Sequence, residues 1–561
     1  VRDNAGTRKT TYFRPAPGLT EEQIAKLPSK QQSAMRFLIA QDRPMTAAEI
    51  AIMAECTEDP IRRLRKKELL IPEVRRELSQ NIRIRAQSND GEARKTHELT
   101  AQQENALSRI NSAVDSGRGR TLLLHGVTGS GKTEVYIQAI EHVVKQAGSA
   151  IVLVPEISLT PQTRGRFEDR FQNVAVLHSQ MSASERHFHW QRIRRGEVQV
   201  VIGPRSAVFA PLPNLGLIVI DEEHDTSFKQ DKQPRYHARK VAHARAMALG
   251  IPLVLGSATP SMEAWHATQT GHAELVTMSE RVGNRPMPDV QLVDLRVKEE
   301  RGKGGAISRP LHAAVLETLK ENGQAILLLN RRGYATTIQC PACGTVCACP
   351  DCDMPLTHHR DGGKAMCHYC DYTIPTPPWC PACRFDGIRY GGLGTQKLEM
   401  EAKARFPDAR IARMDSDTMK RAGSHQRVLS EFRAGEIDVL LGTQMIAKGL
   451  DFPNVLLVGV INADSALHFP DFRAAERTFQ LVTQVAGRTG RGDRGGRVIV
   501  QTFTPEHPAI QAAARHDYLK FVEDEMVNRK KFNYPPLGSV ARIIIRGPLE
   551  DKTESVADAI V

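Results

Sequence analysis

A glycine-rich stretch carries residue types that bind phosphate: Gly126-Val-Thr-Gly-Ser-Gly-Lys132-Thr133. It follows a short apolar run and precedes a helical pattern from Glu134 to Lys145, which is the context that a phosphate-binding loop requires. Glycines let backbone N–H groups close around phosphate at a helix N-terminus, where the helix dipole also favours negative charge. We expect Lys132 to hold the β and γ phosphates of a nucleotide and Thr133 to ligate Mg²⁺. The predicted phosphate-binding residues are Gly126, Thr128, Gly129, Ser130, Gly131, Lys132 and Thr133.

An acidic cluster, Asp221-Glu222-Glu223-His224, follows the apolar run Leu217-Ile-Val-Ile220. A carboxylate at the C-terminal end of a strand, beside a phosphate loop, can hold Mg²⁺, and its neighbour can activate water. Acidic clusters are commonly no more than solvated surface, but the preceding phosphate loop favours the catalytic interpretation. Asp221 is therefore the predicted Mg²⁺ ligand and Glu222 the predicted general base.

Most of the cysteines form four Cys-x-x-Cys pairs. Two residues between thiolates let one turn bind a tetrahedral ion, and two pairs complete a closed shell of four sulfurs. We therefore expect two structural Zn²⁺ ions, because an iron–sulfur cluster fits four even pairs less well. The spacing leaves sequential, alternating and nested combinations of the pairs open. Cys347 is interpreted as a bystander, with a ligand swap as the alternative. The predicted ligands are Cys340, Cys343, Cys349, Cys352, Cys367, Cys370, Cys380 and Cys383.

The composition is that of a globular protein with several domains: 561 residues, 41% hydrophobic and 25% charged. The net charge of +12 favours a polyanionic partner such as nucleic acid. No apolar run approaches the roughly 18 to 20 residues that span a bilayer, so we expect no membrane insertion. The first residues lack a hydrophobic signal segment, and paired cysteines in a protein that is not exported indicate metal rather than disulfides. We therefore expect a cytoplasmic protein.

From Leu99 onward, short apolar runs alternate with helical stretches, which predicts an α/β fold with parallel strands covered on both faces. Two such lobes in tandem are expected, interrupted between Gly333 and Gly392 by the cysteine-rich segment. Before them, short helical patterns and a basic helix within 20–88 favour a winged-helix DNA-binding domain, although the solvated face of a small helical bundle fits the pattern as well.

Both ends of the chain have the pattern of interrupted segments. Residues 1–19 are interpreted as a linker because of their Pro- and Arg-containing stretch. An alternating run from Ser539 to Arg546 predicts a strand, and a helical pattern follows it. One strand and one partial helix cannot bury a core, so 536–561 are expected to begin a truncated C-terminal domain.

An ordered series of motifs resembles those of superfamily 2 helicases. The resemblance implies two RecA-like lobes that hold one ATP between them, with Gln103 reading adenine. It also places Gln484, Arg488 and Arg491 of the second lobe against the transferred phosphoryl group, with Arg491 as the arginine finger. The motifs are Leu99-Thr-Ala-Gln-Gln103, the phosphate loop, Val154-Pro-Glu-Ile-Ser-Leu-Thr-Pro161, Gly203-Pro-Arg-Ser206, Asp221-Glu-Glu-His224, Gly256-Ser-Ala-Thr-Pro260, Gly442-Thr-Gln-Met-Ile-Ala-Lys-Gly449 and Gln484-Val-Ala-Gly-Arg-Thr-Gly-Arg491.

The same resemblance implies contacts with a DNA strand. The stretch 227–238 interleaves bases with aromatic residues and is similar to the loop with which such helicases sense single-stranded DNA near the ATP site. Aromatic rings can stack on bases without sequence preference, whereas hydroxyl and cationic groups suit phosphate oxygens. A loop whose Phe and Tyr only pack inside the protein is the alternative. The predicted DNA-binding residues are Arg205, Ser206, Phe228, Tyr236, Thr259 and Lys448.

An eight-cysteine insertion just after Leu329-Asn-Arg-Arg-Gly-Tyr334, together with the Asp-Glu-Glu-His spelling, resembles the PriA (primosomal protein N′) family of replication-restart helicases. That resemblance favours nested zinc pairing, with the outer two Cys-x-x-Cys pairs on one ion and the inner two on the other. It implies a 3′-to-5′ DNA helicase that binds stalled or branched forks, unwinds the lagging arm and helps to reload the replicative helicase. The implied partners are forked and single-stranded DNA, single-strand-binding protein, primosomal helicase-loading proteins and the replicative helicase.

Two other functions remain open at this point. One is another superfamily 2 repair helicase or translocase, and the other is a zinc-dependent assembly platform with a silent ATPase site. A silent ATPase site predicts that catalytic residues have been replaced by residues that cannot do the chemistry. Lys132, Glu222 and Arg491 are instead of the types that ATP hydrolysis requires. The predicted domains are a linker (1–19), a winged-helix domain (20–88), lobe 1 (96–290), lobe 2 (291–335 and 388–535), the double zinc insertion (336–387) and the start of a C-terminal domain (536–561).

Overall fold

The structure is a computed structural model that describes most of the chain. The described residues are 7–41, 43–54, 56–78, 98–301, 305–329, 338–351, 354–359, 363–368, 370–386, 389–390, 394–415, 424–443, 452–469, 471–489, 495–541, 543, 545 and 547–560. They fall into two compact units. The first takes in the described residues of 1–94 together with 171–201 and 210–213, and the second takes in those of 95–170, 202–209 and 214–561.

In the first unit, four helices pack beside a three-stranded antiparallel sheet. Strand β1 (Thr7–Pro15) lies between β2 (Met45–Thr46) and β3 (Leu70–Leu78). Phe13 of β1 belongs to a buried apolar cluster with side chains from these four helices, which gives this unit its own core. The helices are α1 (Glu21–Ala25), α2 (Ser29–Ala40), α3 (Ala47–Met53) and α4 (Glu58–Lys66).

The interpretation of residues 1–19 as a linker is wrong for the described part of that stretch. Residues 7–15 form β1, which pairs with β3 along its whole length. The cause is non-local, because the partner strand lies more than fifty residues further on, from Leu70 to Leu78. The first unit also contains β6 (Val174–Val176), α8 (Ala183–Arg194) and the first residues of β7 (Val200–Gly203).

The second unit begins with a sheet whose strands form the first RecA-like lobe. Five parallel strands stand in the order β12-β4-β11-β8-β5, as predicted from the buried apolar runs. They are β4 (Thr121–Gly126), β5 (Ser149–Leu153), β8 (Leu215–Asp221), β11 (Leu253–Ser257) and β12 (Glu274–Met278). The helices are α5 (Ala101–Asp115), α6 (Lys132–Lys145), α7 (Pro161–Glu168), α9 (Ala238–Leu249) and α10 (Met262–Gln269), and the hairpin β9 (Lys229–Gln230) and β10 (Tyr236–His237) follows β8.

A second parallel sheet forms the second RecA-like lobe. Its six strands stand in the order β13-β23-β22-β14-β21-β20. The strands are β13 (Asp289–Asp294), β14 (Gln324–Leu328), β20 (Ile411–Met414), β21 (Val439–Gly442), β22 (Val455–Val460) and β23 (Arg497–Thr502). The helices are α11 (Lys298–Arg301), α12 (Arg309–Lys320), α13 (Thr395–Arg405), α14 (Ser424–Arg433), α15 (Asp464–Leu467), α16 (Ala474–Ala486), α17 (Pro508–Ala514) and α18 (Tyr518–Lys531).

The cysteine-rich insertion lies between β14 and α13. It contains the antiparallel pair β15 (Ile338–Gln339) and β19 (Arg389–Tyr390), and the antiparallel set β16 (Thr357–His359), β17 (Lys364–Met366) and β18 (Thr373–Pro375). Five of its cysteines contribute to a small core of their own. The insertion is therefore built around its thiols, as expected for a unit too small for an ordinary apolar core.

The strand predicted from Ser539 to Arg546 is wrong for the described residues of that range, which belong to no strand. An alternating pattern forms a strand only where a partner strand offers hydrogen bonds, and none of the described strands pairs with it. The helical pattern after it is α19 (Glu550–Asp558). Across the part of the chain that the structure describes, no helix is both long and apolar enough to cross a membrane.

Candidate nucleotide site and metal centres

The phosphate loop connects the end of β4 to the start of α6, whose first residue is Lys132. Gly129 and Gly131 have φ angles of +86° and +82°, in the left-handed region that glycine adopts without strain. The Nζ of Lys132 donates a hydrogen bond to the carbonyl oxygen of Gly126 at 2.6 Å, which folds the side chain back over the loop. Backbone, helix start and ammonium group therefore converge at one point, as a phosphate site requires.

Gln103, predicted to read adenine, holds the phosphate loop in this structure. Its Nε2 donates to the carbonyl oxygen of Ser130 at 2.9 Å, and its Oε1 accepts from the backbone N–H of Thr100 at 2.8 Å. The second bond belongs to a capping box at the start of α5. Both ends of the amide are thus engaged within the protein, and adenine recognition by Gln103 stays a prediction.

The two predicted catalytic carboxylates lie at the C-terminal end of β8. Burial and the adjacent charge of Glu222 raise the pKa of Asp221 to about 7, and the ammonium group of Lys132 opposes that rise. Glu222 has a φ of +50°, which is uncommon for a residue with a side chain and typical of strained functional positions. A lysine, a buried aspartate and a strained glutamate therefore share one site.

Two buried oxygens at this site fit a bound nucleotide with its metal. The Oγ of Ser130 and the Oε2 of Glu222 are buried and have no hydrogen-bond partner among the described atoms. A buried polar atom without a partner costs about 1 to 3 kcal/mol, so such atoms commonly mark a ligand or water position. The hydroxyl lies in the phosphate loop and the carboxylate beside the predicted Mg²⁺ ligand. Both suit a phosphate, a metal ion or the water around them.

The second lobe reaches the phosphate loop through the predicted Gln484–Arg491 motif. The Nε2 of Gln484 lies 2.5 Å from the Nε2 of His224, the last residue of the acidic cluster. A Cβ atom on Gly487 would lie 2.3 Å from the Cγ2 of Thr128, so helix α16 ends directly against the loop. Arg488 is buried next to these residues in sequence. Arg491 lies outside the described residues, and its role as arginine finger stays a prediction.

His224 and Tyr136 are two residues of this site to which the sequence analysis assigned no role. The Nδ1 of His224 is hydrogen-bonded to the Oγ of Ser257 at 2.7 Å, so the ring connects the acidic cluster with the Gly256–Pro260 motif. Tyr136 is fully buried, and burial together with the charge of Asp221 raises its pKa far above the ordinary value. A signal for Tyr136 was present, because residues four apart on a helix share a face and Lys132 precedes it by four.

The predicted DNA contacts separate into surface and interior residues. Arg205 donates to the Ser227 carbonyl oxygen at 2.8 Å and to Gln230 at 3.2 Å, so it is held against the stretch 227–238 that carries the aromatic residues. Ser206 is exposed and Tyr236 is half-buried. Lys448 lies outside the described residues, and contact with DNA stays a prediction for these residues.

Two of the residues predicted to contact DNA are buried in this structure. Phe228 is 0% exposed, so its ring packs in the core and cannot stack on a base. Thr259 is 1% exposed, and its backbone N–H donates to Ser257. An aromatic that the sequence reasoning missed lies on the surface instead. Phe209 is 49% exposed and makes an edge-to-face contact with Tyr236, with ring centroids 5.0 Å apart.

The thiols form two groups. The sulfurs of one group lie within 4.8 Å of one another and belong to Cys340, Cys343, Cys380 and Cys383. The sulfurs of the other group lie as close together and belong to Cys349, Cys367 and Cys370, while Cys352 is outside the described residues. This grouping combines the outer pairs with each other and the inner pairs with each other, which is the nested arrangement. Four thiolates at such distances fit a tetrahedral Zn²⁺ ion.

Cys347 belongs to neither thiol group. Burial raises the pKa of its thiol, so the sulfur stays protonated and packs as a small apolar group.

The cysteine-rich insertion contacts the second lobe: Arg301 of α11 donates to the Pro341 carbonyl oxygen at 3.2 Å. The Gln339 amide donates to Asp464 of α15 at 3.4 Å.

Comparison with known proteins gives three family matches: one for each lobe and one for the cysteine-rich insertion. Residues 100–267 match the DEAD/DEAH box helicase family, and 393–493 match the helicase conserved C-terminal domain. Residues 349–375 match the PriA DNA helicase Cys-rich region (CRR) domain. The fold and the site therefore define a two-lobed helicase of the DEAD/DEAH class with an inserted zinc-ribbon module.

Relatives that match this chain over most of its length identify the helicase family to which it belongs. The chain is 46% identical to "Replication restart protein PriA" of Bacillus subtilis (strain 168) over 529 residues, which cover 93% of this chain and 65% of that protein. The protein of the same name from Chlamydia pneumoniae is 38% identical over 545 residues, which cover 95% of this chain and 72% of the relative. The chain belongs to the PriA family of replication restart proteins. It spans about two thirds of the length of these relatives.

Proposed function

We propose that this chain is an ATP-dependent 3′-to-5′ DNA helicase that recognises stalled or branched replication forks and unwinds the lagging arm. It then promotes reloading of the replicative helicase. The observation that carries the proposal is the contact of both lobes at the phosphate loop, where Gln484 meets His224 and Gly487 packs against Thr128. Membership of the PriA family supports the fork specificity and the polarity.

The residues of the site suit ATP hydrolysis. Lys132 and the loop backbone hold the phosphates, while Thr133 and Asp221 hold Mg²⁺. When bound, Mg²⁺ neutralises charge on the phosphate oxygens. Glu222 accepts a proton from the attacking water, because it lies next to Asp221 and one of its carboxylate oxygens is buried without a hydrogen-bond partner.

The second lobe supplies Arg488 and Arg491, whose guanidinium groups stabilise charge on the transferred phosphoryl group. Gln484 holds His224 and thereby couples that lobe to the acidic cluster. Hydrolysis removes the ligand that both lobes contact, so the cleft alternates between closed and open arrangements. A DNA strand held across both lobes moves with each cycle.

DNA binding is assigned to residues of the two lobes. Arg205, Ser206 and Lys448 suit phosphate oxygens, and Tyr236 with Phe209 offers an aromatic surface on which bases can stack. The basic helix α4, with its Arg and Lys residues in the last turn, suits a duplex arm if 20–88 is a winged-helix domain.

The thiol groups are assigned to two structural Zn²⁺ ions, one on each nested set of cysteines. A folded zinc module on the second lobe provides a platform for protein partners. By family membership, these partners are single-strand-binding protein, the helicase-loading proteins and the replicative helicase.

One experiment tests the proposal. ATP hydrolysis and strand separation are measured with single-stranded, duplex and forked DNA, for the parent and for Glu222→Gln. We expect DNA to stimulate hydrolysis in the parent, forks to be unwound, and Glu222→Gln to lower turnover by at least about a hundredfold while DNA binding persists. Glu274→Gln, which alters a surface ion pair with Arg109, is the matched control and is expected to behave as the parent. Equal turnover in the parent and Glu222→Gln would disprove the role of Glu222, and a parent that DNA does not stimulate would disprove the helicase assignment.

A further inference from the structure

Four successive residues at the end of the Gly256–Pro260 motif are held by hydrogen bonds to their backbone. We call Thr259–Met262 the seam segment. Side chains of the second lobe make three of these bonds. Gln480 donates to the carbonyl oxygen of Thr259 at 3.4 Å, the hydroxyl of Tyr518 donates to that of Pro260 at 3.0 Å, and Glu476 accepts from the N–H of Met262 at 3.2 Å.

The fourth bond comes from the first lobe. The carboxylate of Glu223, in the acidic cluster, accepts from the backbone N–H of Ser261 at 2.7 Å. Two carboxylates, one from each lobe, therefore bind adjacent N–H groups at the start of α10, where a helix has unsatisfied donors. The position of the seam segment consequently depends on both lobes at once.

The second-lobe carboxylate is deeply buried together with its counter-ion. Glu476 is 3% exposed and Arg529 is 1% exposed, with their charged atoms 2.9 Å apart. Arg529 also binds Glu525 at 2.6 Å and the carbonyl oxygen of Pro535 at 2.7 Å. A buried ion pair adds little stability compared with apolar packing, and its best-attested use is to select one arrangement. This pair therefore serves to hold the Glu476 carboxylate in one place.

The seam segment is connected to the hydrolytic residues by short bonds. The N–H of Thr259 donates to the Oγ of Ser257 at 2.9 Å, and Ser257 is hydrogen-bonded to His224 at 2.7 Å. His224 is two residues from Glu222. A displacement of the second lobe that pulls on the seam segment is therefore transmitted to the acidic cluster, by a route separate from the Gln484–His224 contact.

We propose that Glu476 is a positioning residue for hydrolysis: it holds the seam segment, and through it Ser257 and His224, in the arrangement that DNA-stimulated turnover requires. Gln480 and Tyr518 assist it. The link between Glu476 and ATP turnover rests on the proposed function. The contact between Glu476 and Met262 is independent of it. A purely structural role would lower stability and all activities together, and a positioning role lowers the DNA-stimulated rate selectively.

The test compares Glu476→Ala, which removes the acceptor, with Glu476→Gln, which keeps an oxygen for the N–H of Met262. For Glu476→Ala we expect the DNA-stimulated turnover number to fall at least about tenfold, with KM for ATP changed less than about threefold and the DNA-free rate reduced less than the stimulated rate. Glu476→Gln should recover most of the loss. Tyr518→Phe removes a single hydroxyl and no charge. It should lower stimulation about threefold, with only a small fall in melting temperature, because the Pro260 carbonyl oxygen loses one hydrogen bond.

A second readout does not depend on activity. Amide hydrogen exchange at Met262 and its neighbours should accelerate in Glu476→Ala and stay slow in Glu476→Gln. Arg497→Ala, which breaks an exposed ion pair with Glu317 elsewhere in the second lobe, is the control and should match the parent in every assay. Unchanged DNA stimulation in Glu476→Ala, or an equal loss with and without DNA, overturns the proposal. If DNA does not stimulate ATP hydrolysis by the parent, the proposed helicase function is contradicted instead. In that case the exchange experiment still decides the contact, because an unchanged exchange rate at Met262 in Glu476→Ala would show that Glu476 does not hold this N–H group.

Discussion

Gln484 of the second lobe and His224 of the first lobe have their side-chain nitrogens 2.5 Å apart. One residue belongs to the motif expected to face the γ phosphate, and the other ends the acidic cluster that carries Asp221 and Glu222. The contact joins the two halves of the site through a single ring. Because the other nitrogen of that ring is bonded to Ser257, a change at Gln484 also affects the Gly256–Pro260 motif.

This contact makes the effects of Gln484 and His224 mutually dependent. Gln484→Ala and His224→Ala should each lower DNA-stimulated ATP turnover by about tenfold or more, because each breaks the same bridge. The double variant should be no worse than the poorer single variant. Steady-state ATPase rates at saturating DNA give this comparison. Gln511→Ala, which removes a hydrogen bond to the Pro505 carbonyl oxygen, is the control. Multiplicative losses in the double variant would show that Gln484 and His224 act separately.

The close approach of Gly487 to Thr128 leaves no room for a side chain. Gly487→Ala should lower turnover at least about tenfold, since its Cβ would meet the Thr128 Cγ2 at 2.3 Å and hold the lobes apart. Thr128→Gly removes the Cβ, Oγ1 and Cγ2 atoms that this Cβ would meet and should restore part of the activity. Nucleotide affinity, measured by equilibrium titration, should change little. Gly165→Ala has nothing within 4 Å and serves as the control, and wild-type turnover in Gly487→Ala would refute the close interlobe contact.

The nested thiol groups predict that the two Zn²⁺ ions can be removed separately. Cys340→Ser and Cys349→Ser should each lower the bound zinc from about two ions to about one per chain, because each change breaks a different closed shell. The double variant should hold none. Metal analysis by mass spectrometry measures the stoichiometry. Cys347→Ser should keep both ions, and loss of both ions from either single variant would contradict two independent shells.

His507 predicts a dependence of stability on pH. Its Nδ1 accepts a hydrogen bond from the N–H of Ala509 and caps α17, and burial lowers the pKa of His507 to about 4 from the ordinary 6.5. As pH falls below about 6.5, the unfolded chain binds the proton first. The stability from this residue is therefore complete above pH 6.5 and lost toward pH 4, by up to about 2 kcal/mol at pH 5.

His507→Asn keeps a capping acceptor that does not titrate. The difference in melting temperature between the parent and this variant should therefore shift in favour of the variant between pH 7 and pH 5. Other groups also titrate in this range, so the difference and not the absolute value is the measurement. A difference that is independent of pH would show that the protonation of His507 is not coupled to unfolding.

Replacement of Phe209 and of Phe228 by alanine should have opposite effects on DNA binding and stability. Phe209→Ala should weaken binding of single-stranded DNA by about 1 to 3 kcal/mol through lost stacking, with little change in melting temperature. Phe228→Ala should cost about 3 to 5 kcal/mol of stability, because its ring is fully buried. Fluorescence anisotropy and thermal unfolding measure the two effects. If a stable Phe209→Ala variant binds single-stranded DNA as tightly as the parent, Phe209 does not contact the DNA.

The sequence predicted the two parallel sheets and the position of the nucleotide loop, because buried apolar strands and glycine-rich turns are local signals. It could not predict that Thr7–Pro15 is a strand, since that stretch is polar and its partner is Leu70–Leu78. Nor could it distinguish Phe228 in the core from Phe209 on the surface, because burial of one ring is decided by tertiary packing. The seam contacts of Glu476 were equally out of reach. They join residues more than two hundred positions apart.

The anchoring of the cysteine module has a mechanical consequence. Its contacts through Arg301 and Gln339 are with the second lobe, so we expect the module to move with that lobe. If the nucleotide cleft opens and closes as proposed, the thiol groups would change their distance from Lys132 in each cycle. A pair of dyes, one on the module and one on the first lobe, would report the hydrolysis cycle as a periodic change in energy transfer.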